Sequence, residues 1–507
     1  MGTIRNPFQK VKVKAPPKSL FNLSHEVKMS GKMTYLYPIL CEEYLPGDNW
    51  QVSTEVFMRI APMIAPIMHR FNVFVHFFDV PYRQVWENWE KFITGDWDGT
   101  DTSVVPHADL TEAGKSYFQK GRLSDYFGFA IDQTETYTNT CDVNWLPFRA
   151  YVKIFNEYYA DPTFQNQLTD YVGDTVSTTE RNLNGYIKQR AWEKDYFTSC
   201  LPWPQRGSTV SINATATQDT DPLVRQSSDG TVEPNADLGT GADGILENTS
   251  LGVDVYIDQL TGITVDVEDL RWGMRLQTWL EKNARAGSRY VEQLLAHWGV
   301  KSDDLRHQRP RYLGGGMAPV TISEVLNTSD TASADQGNMS GHGISVGRSN
   351  TFRSFFKEHG VIIGILSVMP RTAYQQGIPR QFLRQDKYDF AWPEFAHIGE
   401  QEVEDRELYI GSGATDLNPQ TTFGYQQRYG EYKYRNDRVA GDFRDSLDHW
   451  HLGRIFAAKP SLNSSFITAN DDNRFLAVQD SSDYLYFQIY NNVKAIRPLP
   501  YYTDPRL

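Results

Sequence analysis

A mainly β chain, folded as a β-sandwich interrupted by large inserted loops and several short helices, is what this sequence predicts. Three observations carry that expectation. Strand-like runs rich in β-branched and aromatic residues stand near both ends of the chain, at 33–40 (MTYLYPIL), 71–80 (FNVFVHFFDV), 361–369 (VIIGILSVM), 484–490 (YLYFQIY) and 493–499, so one sheet system closes N- to C-terminal sequence together. Helical stretches lie in blocks between them and show few strand–helix–strand alternations, which argues against a doubly wound sheet. The chain carries 28 Tyr, 27 Phe and 12 Trp, flat side chains that favour strands and broad buried contacts. Its 507 residues exceed what one core commonly supports, unless a single core carries large insertions.

From the N-terminus, residues 1–20 form a basic arm with Arg5, Lys10, Lys12, Lys14 and Lys18 and no acid. Its alternating Val and Lys could extend a sheet edge, and Pro16-Pro17 stops that continuation. Residues 21–507 read as one domain with insertions. The stretch 81–95 (PYRQVWENWEKFITG) is expected to be a helix from Pro81 to Gly95. Residues 147–162 place Phe148, Tyr151, Phe155 and Tyr158 on one helical stripe. Residues 270–299 read as two helices broken near Gly287. The segment 205–260 is rich in Ser, Thr, Asn, Asp and Gly and contains nine acids against Arg206 and Arg225. A loop of that length inside a compact domain is unusual, so 207–260 is expected to be an acidic surface insertion. Residues 327–350 are similar in kind. Asn491-Asn492 suggests a hairpin turn between the last two strands.

The net charge of −13 argues against a dedicated nucleic-acid binder as a whole, but the asymmetry between arm and insertion requires a region-by-region reading. Cys41, Cys141 and Cys200 match neither a disulfide framework nor a zinc spacing, and fit a reducing compartment. The first residues lack an apolar signal segment. The run at 361–369 is too short to span a bilayer, so no membrane insertion is expected.

Few motifs carry chemistry. Glu394-x-x-His397, followed by Glu400 and Glu402, resembles half of a carboxylate–histidine metal site, but a second copy of the motif is missing and Gly399 weakens a helix there. A structural polar cluster of Glu394, His397 and Glu400 is the preferred reading. The GTGADG at 239–244 lies in an acidic segment that repels phosphate and follows no strand. Asp448, His449 and His451 lack an evident third metal ligand. The GGG at 314–316 is not followed by the Lys and Ser/Thr of a phosphate loop. No catalytic residue, metal ligand or cofactor is assigned. The unneutralised arm is the one candidate for phosphate contact, weak singly and strong when many arms act together.

Several long blocks occur in order: NLSHEVKMSGKMTYLYPILCEEYLPGD (22–48), VPYRQVWENWEKFITG (80–95), LPFRAYVKIFNEYYADP (146–162), AWEKDYFTSCLPWPQRG (191–207), RPRYLGGG (309–316), YDFAWPEFAHIGEQEV (388–403), FGYQQRYGEYKYRNDRVAG (423–441) and DHWHLGRIF (448–456). Together they resemble the major capsid protein of the Microviridae, small tailless single-stranded-DNA bacteriophages, on the gokushovirus side. The resemblance implies an eight-stranded viral jelly roll and a T=1 icosahedral shell of sixty copies around circular single-stranded DNA. It implies assembly in the host bacterial cytoplasm with scaffolding and pilot proteins, a small basic DNA-binding protein in the virion, and a threefold protrusion facing a host surface receptor, for which 207–260 is the candidate. It also implies no catalysis. Two rivals of other classes remain at this point, a carbohydrate-active jelly-roll enzyme and a non-catalytic glycan-binding phage spike. Only the shell reading predicts closed particles of uniform diameter.

Overall fold

The computed structural model describes residues 16–109, 115–129, 141–165, 167–208, 210, 215–226, 238–240, 246–248, 253–264, 267–287, 290–299, 309–326, 339–411, 421–480 and 482–502. The chain divides into two compact units, one of Met1–Pro202 with Val300–Leu507 and the other of Trp203–Gly299.

The first unit is an antiparallel β-sandwich of eight long strands: β1 His25–Gly31, β2 Tyr37–Tyr44, β3 Asn49–Ile60, β4 Phe71–Pro81, β5 Arg311–Pro319, β6 Met339–Arg348, β7 Gly360–Pro370 and β8 Leu485–Arg497. One sheet runs β1-β8-β3-β6 and the other β5-β4-β7-β2. Each sheet therefore interleaves early and late strands, and β8 pairs with β3 from Leu485↔Ile60 to Ile496↔Asn49. Short strands extend the first sheet: Ser19–Asn22 beside Lys494–Arg497, and Thr321–Leu326 beside β6.

Burial follows from the sequence pattern. In β8 (LYFQIYNNVKAIR) buried and exposed residues alternate, so one sheet face packs inward and the other meets solvent. In β7 (GVIIGILSVMP) every residue is buried, because both faces of its sheet are covered. Toward β8, Ile362 and Leu366 join Phe77, Trp50, Val56, Met58 and Ile489 in the core between the sheets. On the other face, Ile363 and Ile365 pack with Phe78, Trp86, Trp145, Phe148 and Tyr151. Apart from Phe78, which is on β4, these last residues belong to a helical layer containing α1 Trp89–Thr94, α2 Leu146–Ile154 and α3 Thr178–Asn184. Trp145 stacks on Phe148 with centroids 4.1 Å apart and an interplanar angle of 5°.

Several expectations change. Within 484–499 a single strand, β8, runs from Leu485 to Arg497, and there is no hairpin. Asn491 falls in the inward register, where its Oδ1 accepts from Thr54 Oγ1 at 2.7 Å and its Nδ2 donates to the Ile39 carbonyl at 2.8 Å. A residue pair that suits a turn is here a polar clamp between the two sheets. Replacing it, Asn491→Leu, is expected to cost about 1–3 kcal/mol, since the Thr54 hydroxyl and Ile39 carbonyl lose their buried partner. Urea unfolding of the dispersed subunit measures this, and a change below about 0.5 kcal/mol, the level of a neutral surface substitution, would contradict it. The strand expected at 33–40 starts at Tyr37, after a turn in which Thr34 has φ 72°. The helix expected over 81–95 splits into a 3-10 turn at Tyr82–Gln84 and α1, closed by Gly95 at φ 81°. The stripe in 147–162 is buried at Phe148, Tyr151 and Phe155, and the helix widens into a π-turn over Phe155–Tyr159.

In the second unit, Thr215–Gln226 pairs antiparallel with Val253–Thr264, and Leu238–Thr240 with Leu246–Asn248. Polar composition suggests a loop here, whereas the alternating Thr and Val residues form a ribbon, as β-branched side chains favour. The two helices that follow, α4 Val267–Ala286 and α5 Tyr290–Trp298, break at Gly287, whose φ of 95° suits glycine. Among the described residues no helix is long and apolar enough to cross a membrane.

Candidate functional site

Of the arm's five cations, Arg5, Lys10, Lys12 and Lys14 lie outside the described residues. Lys18 is exposed, donates to the Gly47 carbonyl and sits 5.2 Å from the centre of the Phe355 ring. This anchors the base of the arm at the end of the sandwich where β3 begins.

Glu394 lies on a three-residue 3-10 turn, Pro393–Phe395, and Glu394 and His397 are both exposed. Neither makes a side-chain bond to another described residue, so the structure does not bring the two together as an intrasubunit cluster. Glu400 opens the strand Glu400–Glu404, pairs with Gln427 across Thr422–Gln427, and does not extend the turn. The helical geometry that would align Glu394 with His397 is absent, and Gly399 has φ 126°.

Neighbouring residues that the sequence reading passed over hold this region. Trp392 donates its indole N–H to the Lys387 carbonyl at 2.8 Å and its backbone N–H to the Tyr429 hydroxyl at 3.0 Å. Gln401 is buried, donates to Glu431 Oε2 at 2.7 Å and accepts from the Tyr429 backbone at 2.9 Å. Glu407, also buried, takes Arg380 at 2.8 Å and the Tyr196 hydroxyl at 3.1 Å. Arg384 reaches Glu431 at 2.8 Å. The signal for these pairs is spacing between distant segments, invisible in a local motif.

The other motifs are architectural. His451 is saturated: its Nε2 donates to the Phe443 carbonyl at 2.6 Å and its Nδ1 accepts from the Gly453 N–H at 2.9 Å. The glycines 314–316 lie in β5. A Cβ on Gly315 would stand 2.3 Å from the Val75 carbonyl oxygen, and one on Gly316 would stand 2.8 Å from Ser349 Cα. They allow close strand approach. Only Gly239 and Thr240 of the GTGADG are described, in the short strand Leu238–Thr240. Among the described residues, His107, Asp109 and Asp142 could offer three metal-ligand atoms within 4.8 Å of one another, all exposed. Antiparallel pairing of His107–Asp109 with Asp142–Asn144 brings them together.

Two imidazoles make the subunit sensitive to acid. Burial pushes His69 down to about 4, although its bond to the Arg371 carbonyl opposes this, and burial with the nearby Arg190 charge pushes His76 down to about 4. The unfolded chain, near 6.5, binds these protons first. Stability is therefore full above about pH 6.5 and falls as pH drops toward about 4. Thermal unfolding across that window, compared with His76→Phe, is expected to show a shallower pH dependence in the variant. Identical slopes would contradict it.

Comparison with known proteins gives one consistent answer. The model of the family described as "Capsid protein (F protein)" matches residues 9–507. The chain is 34% identical to Capsid protein VP1 of Chlamydia phage 1, over 100% of this chain and 98% of that protein. It is 33% identical to Capsid protein VP1 of Bdellovibrio phage phiMH2K, over 96% and 95% of the two. It is 29% identical to Capsid protein VP1 of Spiroplasma virus 4, over 97% and 95%.

Proposed function

Because this chain belongs to the phage capsid protein (F protein) family, a structural and non-enzymatic protein that forms the virion shell, we propose that sixty copies close into a T=1 icosahedral shell around circular single-stranded DNA. The observation that carries this is the coincidence of a family match over nearly the whole chain with the strand order β1-β8-β3-β6 facing β5-β4-β7-β2. That order is read as the two interleaved Greek keys of a jelly roll. A rigid sandwich suits a shell, since each copy must present fixed heterologous patches that close into rings.

In this reading the arm, with Arg5, Lys10, Lys12, Lys14 and Lys18, faces the packaged strand and neutralises phosphates. The acidic insertion 207–260 faces water and a host receptor, as the candidate threefold protrusion. Glu394 and His397, exposed and without a side-chain bond among the described residues, serve with Glu400 at a contact between copies. Five charges on each arm fall far short of a genome's phosphates, so a small basic DNA-binding protein shares the load. Scaffolding and pilot proteins complete assembly in the bacterial cytoplasm.

Limited proteolysis of intact particles tests the orientation. Cleavage is expected within 207–260 while 1–20 stays protected until the shell is opened. Early cleavage in 1–20 with 207–260 protected would overturn it.

A further inference from the structure

The short ribbon of His107–Asp109 with Asp142–Asn144 gathers metal-ligating groups on one face. In its antiparallel register Asp109 faces Asp142 and His107 faces Asn144. Side chains two apart on a strand share a face, so all four stand on the same side of the ribbon. The other side carries Ala108, which is buried, and Val143, which is partly buried, both packed into the core beneath the helical layer. Just ahead of α2, the Trp145 N–H donates to the Pro106 carbonyl at 2.9 Å, and the Trp145 ring is buried. A core-anchored backbone therefore holds the polar face outward, where His107, Asp109 and Asp142 are all exposed to water.

The three ionisable groups converge. One ligand atom from each lies within 4.8 Å of the other two, and His107 Nε2 is 3.9 Å from Asp142 Oδ2. Two ligands on a tetrahedral ion with bonds of about 2 Å stand about 3.3 Å apart, so small side-chain rotations complete the set. The imidazole is already turned for this. Its Nδ1 lies 3.0 Å from the Val105 carbonyl oxygen. A carbonyl only accepts, so Nδ1 holds the proton, and Nε2 of the neutral ring offers its lone pair toward the carboxylates. Backbone carbonyls orient metal-ligating histidines in the same way. Asn144 has another task, since its Oδ1 accepts from the Leu146 N–H at 3.0 Å. Two carboxylates directly opposite each other on adjacent strands repel. An imidazolium offsets one of those charges, whereas a divalent ion offsets both.

We propose that His107, Asp109 and Asp142 bind one divalent transition-metal ion of the zinc class, which bridges the two strands and clips together the ends of segment 110–141. The ligand set selects the ion: calcium and magnesium take oxygen ligands, whereas one imidazole with two carboxylates suits zinc and related transition ions. Three protein ligands leave a position for water. Cys141 precedes Asp142 in sequence but stands outside the group. The ladder between the strands is only three residue pairs long, so an ion that spans it adds a fastening at the point where the loop must close. The proposal holds for the single subunit and does not depend on how copies assemble.

The test uses the full-length protein carrying Cys141→Ser, which removes the exposed thiol as a rival ligand, stripped with chelator and titrated with zinc chloride or cobalt(II) chloride. Calorimetry is expected to show one saturable site per chain, cobalt to give a visible d–d absorption, and the unfolding temperature to rise with zinc concentration. His107→Ala, Asp109→Asn and Asp142→Asn are each expected to weaken zinc binding by about tenfold or more, since even the partners behind a ligand commonly cost about 10–100-fold. In chelator, Asp109→Asn is expected to be at least as stable as its parent, because the carboxylate repulsion is relieved. With zinc the order is expected to reverse, and that reversal also shows that the variant folds. A parent protein with no saturable zinc uptake would overturn the proposal. So would variants that bind zinc with the parent's affinity, which would place the ion elsewhere on the chain. An Asp109→Asn variant less stable than its parent by the same margin with and without zinc would also overturn it, and would reduce the cluster to an ordinary surface ion pair.

Discussion

Glu180→Ala is expected to destabilise the subunit by about 3–5 kcal/mol, the usual result of leaving one member of a buried ion pair alone. The pair joins α2 to α3 beneath the sandwich. Side-chain exposure is 1% for Arg149 and 0% for Glu180. The contact is bidentate, Nε to Oε1 at 2.7 Å and Nη2 to Oε2 at 3.1 Å. The guanidinium also donates to the carbonyls of Gly173 at 2.8 Å, Val85 at 3.3 Å and Thr175 at 3.3 Å. One arginine thereby ties α2 to two separate stretches of loop. Removing the carboxylate leaves a positive charge in a site that water does not reach, facing carbonyls that only partly compensate it. Ser177 caps α3 through the Glu180 N–H at 3.1 Å, so the helix itself should survive. Denaturant unfolding measures the loss, and Arg149→Met/Glu180→Leu should recover much of it, because the isolated charge is gone. A single variant that loses less than about 1 kcal/mol would contradict the argument.

Trp50→Ala is the second large effect, about 3–5 kcal/mol by the usual cost of deleting a buried aromatic. Trp50 is fully buried on β3 between the sheets. Its indole N–H donates to Asp48 Oδ2 at 2.9 Å, and the Arg497 guanidinium lies 4.9 Å from the ring centre. Asp48 is itself 0% exposed and lies 3.1 Å from Arg497 Nε. The truncation therefore opens a cavity and removes a donor from a buried carboxylate. Trp50→Phe separates the two parts, since it restores most of the apolar contact without the N–H. It should fall between wild type and Trp50→Ala. A Phe variant as unstable as the Ala variant would place the whole effect in the hydrogen bond.

Local pattern and long-range pairing differ in what they reveal. β7 is legible because a long apolar run is the signature of a strand covered on both faces, and β4 because its β-branched and aromatic residues outweigh Asn72, His76 and Asp79, whereas β8, one strand of thirteen residues, reads as two. The break at Gly287 is legible from glycine chemistry. Asn491 misleads, because asparagine suits both a turn and a buried clamp, and only the position of Thr54 and Ile39 decides between them. The ribbon in 215–264 is hidden by its Ser, Asp and Gly content. Glu394 and His397 draw attention because they are close in sequence, yet they lie exposed on a turn. Glu407 and Glu431, with nothing remarkable in their local spacing, meet Arg380 and Arg384 from 27 and 47 residues away.

The measurement that bears most directly on the function is electron microscopy with mass determination on material purified from producing bacteria. Sixty chains of 58.1 kDa amount to a protein shell of about 3.5 MDa, closed by repeated heterologous contacts. Uniform, hollow, icosahedral particles of that protein mass, enclosing single-stranded DNA, are the predicted result. A monomer, a small ring of a few copies or open filaments as the sole assembled form would contradict it.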